Sequence, residues 1–191
     1  MTRPGRRGTE GVSIHEVDRL VARFVWLERR RFEILGSWVT SVPESEVAVL
    51  LAAQARHHAW HASLWEQHLP RRSGYQAPAE PPASEALSAF LDALAGPPGT
   101  ADTVARLSGA FRVLGPQALA SYGTQLDRAT SVSDAAWART CRLVLSDQRH
   151  DGFEGGRMLS SLLATDQLIE QAARHQAELE RLLLDAGGIA G

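Results

Sequence analysis

The chain contains no lysine; all twenty of its basic residues are arginine. That absence excludes Schiff-base and pyridoxal-phosphate chemistry, which need a lysine amine, and otherwise reads as codon bias. A single cysteine, Cys141, excludes an intramolecular disulfide and any multi-cysteine zinc or iron–sulfur site. Cys141 itself reads as a small buried hydrophobe. No apolar run approaches the roughly 18 residues of a membrane-spanning helix, so no membrane association is expected. The basic start MTRPGRRGTEG leads into no signal-type hydrophobic segment, so residues 1–11 read as a disordered tail and the compartment as cytoplasm. With 22 acids against 20 bases the formal charge is −2, which argues against a nucleic-acid partner. There is no glycine-rich phosphate loop after a strand and no serine nucleophile elbow.

What is present is helix. Hydrophobic residues make up 44% of 191 positions, enough for one domain with a core, here residues 12–191. Alanine and leucine dominate, and alternating β-branched runs are missing. Six of the nine prolines lie between residues 70 and 98, so residues 70–100 divide two helical halves. Helix 1 is expected from the capping box Ser13-Ile14-His15-Glu16, with Ile14, Val17, Val21, Phe24, Leu35 and Trp38 inward. Helix 2 is expected from the capping box Ser41-Val42-Pro43-Glu44, with Val47, Leu50, Gln54, His57, His61, Leu64 and His68 on its inner face. A proline-rich linker spans 70–83, and a short helix follows at 84–95. Helix 3 is expected over 102–128, kinked or broken at Gly115-Pro116. Helix 4 should run from the cap at 131–134 to about Leu163 and loosen at Gly152 or Gly155-Gly156. Helix 5 should start near Thr165, with Leu168, Ala172, His175, Leu179 and Leu182 at heptad-like spacing. Its stripe suits a homo-oligomeric contact, a homodimer in the simplest case. Two long hairpins, a long connection and a closing helix predict an all-α four-helix bundle with one crossover and an additional C-terminal helix.

The polar residues on the inner faces carry the functional signal. Continuing the helix 1 stripe through its middle gives Glu28 and Arg31. Gln54 and His57 fall on helix 2, and Asp147 and His150 on helix 4, all near mid-bundle. Buried charge costs several kcal/mol unless it is paired or ligates a metal. Of the seven histidines, four lie between residues 57 and 68. His57 and His61 are four apart and share a helix face at a spacing that chelates one metal, and His58 can replace either after a small helix rotation.

This pattern resembles the ferritin-like di-iron carboxylate superfamily, in which each helical pair supplies a Glu and a Glu-x-x-His. The matching residues are Glu28 followed by Gln54-Ala55-Arg56-His57, and then Asp147-Gln148-Arg149-His150. Glu28 precedes Gln54 by 26 residues, enough to climb one helix, turn and descend to the same level. The likeness covers roughly residues 13–163. It implies a ferritin-like bundle that oxidises or hydroxylates a small organic substrate, with Glu28, Gln54, His57, Asp147 and His150 as metal ligands. The chain departs from the pattern in three places. Gln54 replaces a bridging Glu, Asp147 is shorter by a methylene, and helix 3 offers Ala118, Ser121, Tyr122 and Gln125 where a Glu belongs. Glu154 and His61 could complete the ligand set, or His61 could act as base. Tyr122 could donate a hydrogen bond to a substrate or a metal-bound oxygen. The implied cofactor is iron (one or two ions), manganese or zinc. A metal-free acid–base enzyme in the same pocket and a non-enzymatic oligomerising or partner-binding bundle are the alternatives.

Overall fold

The computed structural model describes residues 14–69, 84–97, 102–129 and 134–189, with side chains from Val17 onward. The expected N-terminal tail, the capping box at Ser13, the linker at 70–83 and positions 131–133 of the expected helix 4 cap lie outside these residues. The described chain is helical, and no strand occurs in it. Its elements are α1 (Ile14–Val39), α2 (Ser45–Glu66), α3 (Glu85–Ala95), α4, α5 (Ala135–Leu162) and α6 (Asp166–Asp185). The α4 rod comprises an α-helix Thr103–Ser108, a π-helical turn Gly109–Leu114 and an α-helix Gly115–Arg128. No helix among the described residues is long and apolar enough to cross a membrane.

Side-chain pairs fix the directions of the four long helices. Phe24 on α1 meets Trp65 near the end of α2, and Glu28, one turn on, meets His58 and His61, one to two turns earlier, so these two are antiparallel. Along α2 and α5, Gln54 meets Asp151, His61 meets Asp147 and His68 meets Thr140, again antiparallel. The Tyr122 carbonyl on α4 faces Cys141 on α5, and Phe111 lies against Gly155. Between α1 and α4, Glu28 is level with Tyr122 and Trp38 with Arg106. Thus α1 and α5 run one way, and α2 and α4 the other. The start of α4 is tied to the start of α2 by a 2.6 Å hydrogen bond from Thr103 Oγ1 to Glu44 Oε2. The chain therefore traverses the length of the bundle between α2 and α4, and α3 lies on that path. It is held to α1 by Trp38 Nε1 donating to the Ala95 carbonyl at 3.0 Å and by Arg30–Asp92 at 3.2 Å.

Local chemistry explains most boundaries. Ser84, Asp102 and Thr165 each accept a backbone N–H three residues on and so cap α3, α4 and α6. The start of α2 differs from expectation. Helix begins at Ser45 with Glu44 at the cap and no side-chain cap bond. Ser41 instead donates to the Trp38 carbonyl at the end of α1, and Glu44 is engaged by Thr103. Nor does Gly115-Pro116 break α4. The Gly115 N–H bonds the Ala110 carbonyl five residues back, so a widened turn precedes the proline and the rod stays helical through it. α5 likewise continues through Gly152, Gly155 and Gly156.

Which face of α2 turns inward also differs from the sequence reading. Val47, Leu51, Gln54, His58, His61 and Trp65 are buried, while His57 is half-buried and Leu50 and Leu64 lie at the edge. Both readings share 47, 54 and 61. Burying the large Trp65 ring in place of Leu64 sets the rotation, because the greater apolar area removed from water decides. The stripe of α6 is used within the chain: Ala172, Leu179 and Leu183 are buried against the rest of the bundle.

Gly109, at the start of the π turn, makes one close contact possible. A Cβ there would lie 2.5 Å from Leu94 Cδ1 and 2.6 Å from Leu179 Cδ1. Both leucines are 1% exposed, so neither can swing into solvent. Gly109→Val is expected to cost about 2–3 kcal/mol through overpacking, read as a fall in the urea midpoint with an unchanged slope. Stability equal to or above wild type would mean that α3 and α6 do not close on α4 at this point.

Candidate metal centre

Four helices place polar side chains at one level of the core. Glu28, from α1, is fully buried. Its Oε1 accepts from the Tyr122 hydroxyl of α4 at 2.6 Å and from Gln148 Nε2 of α5 at 2.9 Å. Its Oε2 lies 2.6 Å from His58 Nδ1 and 3.4 Å from His61 Nδ1, both on α2. Arg31, one turn along α1, approaches Oε1 at 3.6 Å. On its far side the His61 ring is held by Asp147, with Nε2 to Oδ2 at 3.0 Å.

The charge states follow from this geometry. Burial alone would raise the Glu28 carboxyl. The His58 and His61 rings and the Arg31 guanidinium outweigh it and hold Glu28 well below the usual carboxylate range. Burial, with Arg31 beside it, pushes His58 down to about 4 despite the pull of Glu28. His58 is thus neutral at pH 7, and its Nδ1–H donates to Glu28. For His61 burial also disfavours the cation, but carboxylates on both sides of the ring outweigh it and raise the pKa. Burial, then the neighbouring Glu28 carboxylate, lifts the Tyr122 hydroxyl well above its ordinary value, so Tyr122 acts as a neutral donor.

His61 Nδ1 is the informative atom. It is buried and has no hydrogen-bond partner among the described residues. With Nε2–H committed to Asp147, a neutral His61 turns the Nδ1 lone pair towards the Glu28 carboxylate. Two acceptors that face each other at 3.4 Å repel unless a cation or a proton lies between them. Glu28, His58 and His61 each offer one ligand atom, all within 4.8 Å of one another. Two imidazoles and a carboxylate are a donor set that suits zinc or non-haem iron. Donors at the corners of a tetrahedron with bonds of roughly 2.0–2.1 Å are roughly 3.3 Å apart. The His61–Glu28 separation matches that, whereas the shorter His58–Glu28 contact must open to admit an ion. Asp147 on the outer nitrogen of His61 is the carboxylate–histidine arrangement that fixes the tautomer of a metal ligand.

A cavity of about 280 Å³ adjoins the cluster, bordered by Arg31, Gln54, His58, Gln148 and Asp151 on its polar side. The π turn of α4 contributes Ala110, Phe111 and Leu114 to its wall.

The residues singled out from sequence separate into three groups. Glu28, His61 and Tyr122 meet at the centre, and Asp147 reaches it through His61. Gln54 and His57 stand to one side, both engaged with Asp151. Gln54 Nε2 donates to its carbonyl at 2.9 Å, and His57 Nδ1 lies 2.9 Å from its carboxylate. His150 and Glu154 are not at the site. His150 is exposed, because it follows the inward Gln148 by two positions, roughly 200° around the helix. Glu154 pairs with Arg157 at 3.2 Å on the outer surface. The pairing of His57 with His150 as matched ligands is therefore replaced by two histidines from α2 alone. Gln148 is the member that sequence spacing did not bring forward; Arg31 lies inward as the α1 stripe placed it, and His58 takes the inner position expected of His57. The size of Trp65 relative to Leu64 is the signal that would have placed His58. Cys141 is buried with its thiol directed at the Tyr122 carbonyl at 3.3 Å, and burial pushes its pKa up to about 12. It is an inert packing group. The chain matches no family model, no curated protein and no solved structure.

Proposed function

We propose that Glu28, His58 and His61 hold one divalent metal ion in a ferritin-like bundle, and that the protein oxidises or hydroxylates a small organic molecule beside it with dioxygen as the oxidant. The carrying observation is the partnerless His61 Nδ1 directed at Glu28, with Asp147 holding the opposite nitrogen. Two antiparallel hairpins joined by a connection that runs the length of the bundle support the ferritin-like reading. A bound ion supplies a Lewis acid and, as iron or manganese, a redox centre. The chain's own residues do the rest. Asp147 orients His61, Tyr122 and Gln148 fix the Glu28 carboxylate, and the apolar wall of the cavity excludes water. One ion per chain fits the three donors better than the dinuclear set of the di-iron family, since Gln54, His150 and Glu154 lie away from them.

A second reading has a specific observation in its favour. Glu28 already accepts three hydrogen bonds, from Tyr122, Gln148 and His58. A proton on His61 Nδ1 would complete the cluster without a metal and leave a Glu–His pair suited to proton transfer.

Titration of chelator-treated protein with Zn(II), Mn(II) and anaerobic Fe(II) separates the two. The metal reading expects binding of about one equivalent and a thermal midpoint that rises with free ion, by about 2.7 kcal/mol of stabilisation at a hundredfold excess over Kd. Asp147→Asn should weaken binding about 10–100-fold, His61→Ala more, and His150→Ala not at all. No midpoint shift with any of the three ions, or equal affinity in His58→Ala and His61→Ala, would leave the proton-transfer reading standing alone.

A further inference from the structure

The cavity beside the cluster has a definite chemical character. Arg31 borders it, is 7% exposed, and has two guanidinium nitrogens, Nε and Nη1, with no hydrogen-bond partner among the described residues. Its one ionic neighbour among the described residues is Glu28 at 3.6 Å, a carboxylate already taken up by Tyr122, Gln148 and His58. A buried guanidinium with unused donors is costly, and a carboxylate is the partner that satisfies it with a charge-assisted hydrogen bond. Gln148 also borders the cavity and keeps an unpartnered, buried Oε1. Of the remaining charged groups on the lining, Asp151 is bound by His57 and Arg149 is exposed. Cationic groups thus exceed unbound anionic ones. The apolar part of the lining is formed by Leu35 of α1 and by Phe111, Leu114 and Leu119 of α4. At roughly 30 Å³ per water-sized group, the space takes on the order of ten non-hydrogen atoms.

We infer that this cavity binds a small monocarboxylic acid, with its carboxylate on Arg31 and a compact apolar body against α4. The inference gives the substrate class for the proposed chemistry and rests on that reading only for what happens after binding, because the cavity needs no ion to hold the acid.

Calorimetric titration in EDTA with phenylacetate and 4-methylpentanoate, each beside its neutral amide, tests it. The expected result is saturable binding of at least one acid, with its amide at least tenfold weaker. Arg31→Met should weaken the acid at least tenfold, and Leu119→Trp, which adds bulk to the α4 side of the cavity, should abolish binding. Leu119→Trp should still take up metal as wild type does. That control distinguishes failure of the cavity from failure of the ion site, and it keeps the test valid if Arg31→Met does not fold. Equal affinity for acid and amide, an unchanged affinity in Leu119→Trp, or no binding of either acid would each overturn the inference.

Discussion

Glu28→Ala will lower the stability of the chelator-treated protein by about 3–5 kcal/mol, the range seen when one member of a buried charged group is removed. The reason is what remains behind. Arg31 loses its one ionic neighbour while staying 7% exposed. The Tyr122 hydroxyl, Gln148 Nε2 and His58 Nδ1 lose the acceptor they share. Each orphaned buried donor costs about 1–3 kcal/mol before relaxation, and these costs overlap because water or a rotated amide can satisfy part of them. Glu28→Gln should fall between wild type and alanine, since the amide oxygen still accepts from Tyr122 but the charge opposite Arg31 is gone.

The informative comparison is Glu28→Leu made alone and together with Arg31→Met. Replacing both members of a buried ion pair with apolar groups of similar volume is often neutral or stabilising. The double variant should therefore recover much of the loss of the single one, while losing all metal uptake. A Glu28→Ala change of less than about 1 kcal/mol in urea unfolding would mean that water enters the cluster freely, and the closed geometry described for it would be wrong.

The legibility of this site in the sequence was uneven, for physical reasons. The interruption of the α1 stripe by Glu28 and Arg31 could be read directly, because the flanking Phe24 and Leu35 leave those two positions no other face. The π turn could not be read in advance. Gly115-Pro116 announces a disturbed ladder, but whether the helix breaks or widens depends on α3 and α6 packing tightly at Gly109. On α5 the motif Asp147-x-x-His150 suggested that both ends face inward. The i, i+3 relation places two residues on one side of a helix, yet it does not say which side faces the core. Trp137, Cys141, Val144 and Gln148 carry that information, and they leave His150 outside. The likeness to a paired ligand motif thus pointed to the level of the bundle at which buried polar side chains gather, and to a rotation of two helices that the structure does not have.

Rotation of α2 depends on one side chain, so the second large effect is expected at Trp65. It is fully buried, stacks on Tyr122 with centroids 5.8 Å apart and planes 8° from parallel, and meets Phe24 at 4.9 Å. Trp65→Ala should cost about 3–5 kcal/mol, the loss of a large aromatic plus the cavity left behind. The same change removes the advantage that turned His58 inward over His57. Tyr122, released on one face, can drift from Glu28 Oε1, and α2 can rotate towards the face that buries Leu64. Trp65→Ala is therefore expected to weaken metal uptake as well as stability, although it touches none of Glu28, His58 or His61 through a hydrogen bond. Trp65→Phe, which keeps a ring between Phe24 and Tyr122, should recover most of both. A Trp65→Ala protein with unaltered metal affinity would show that His58 and His61 are held by their hydrogen bonds to Glu28 and Asp147 alone, and that packing against Trp65 does not set the rotation of α2.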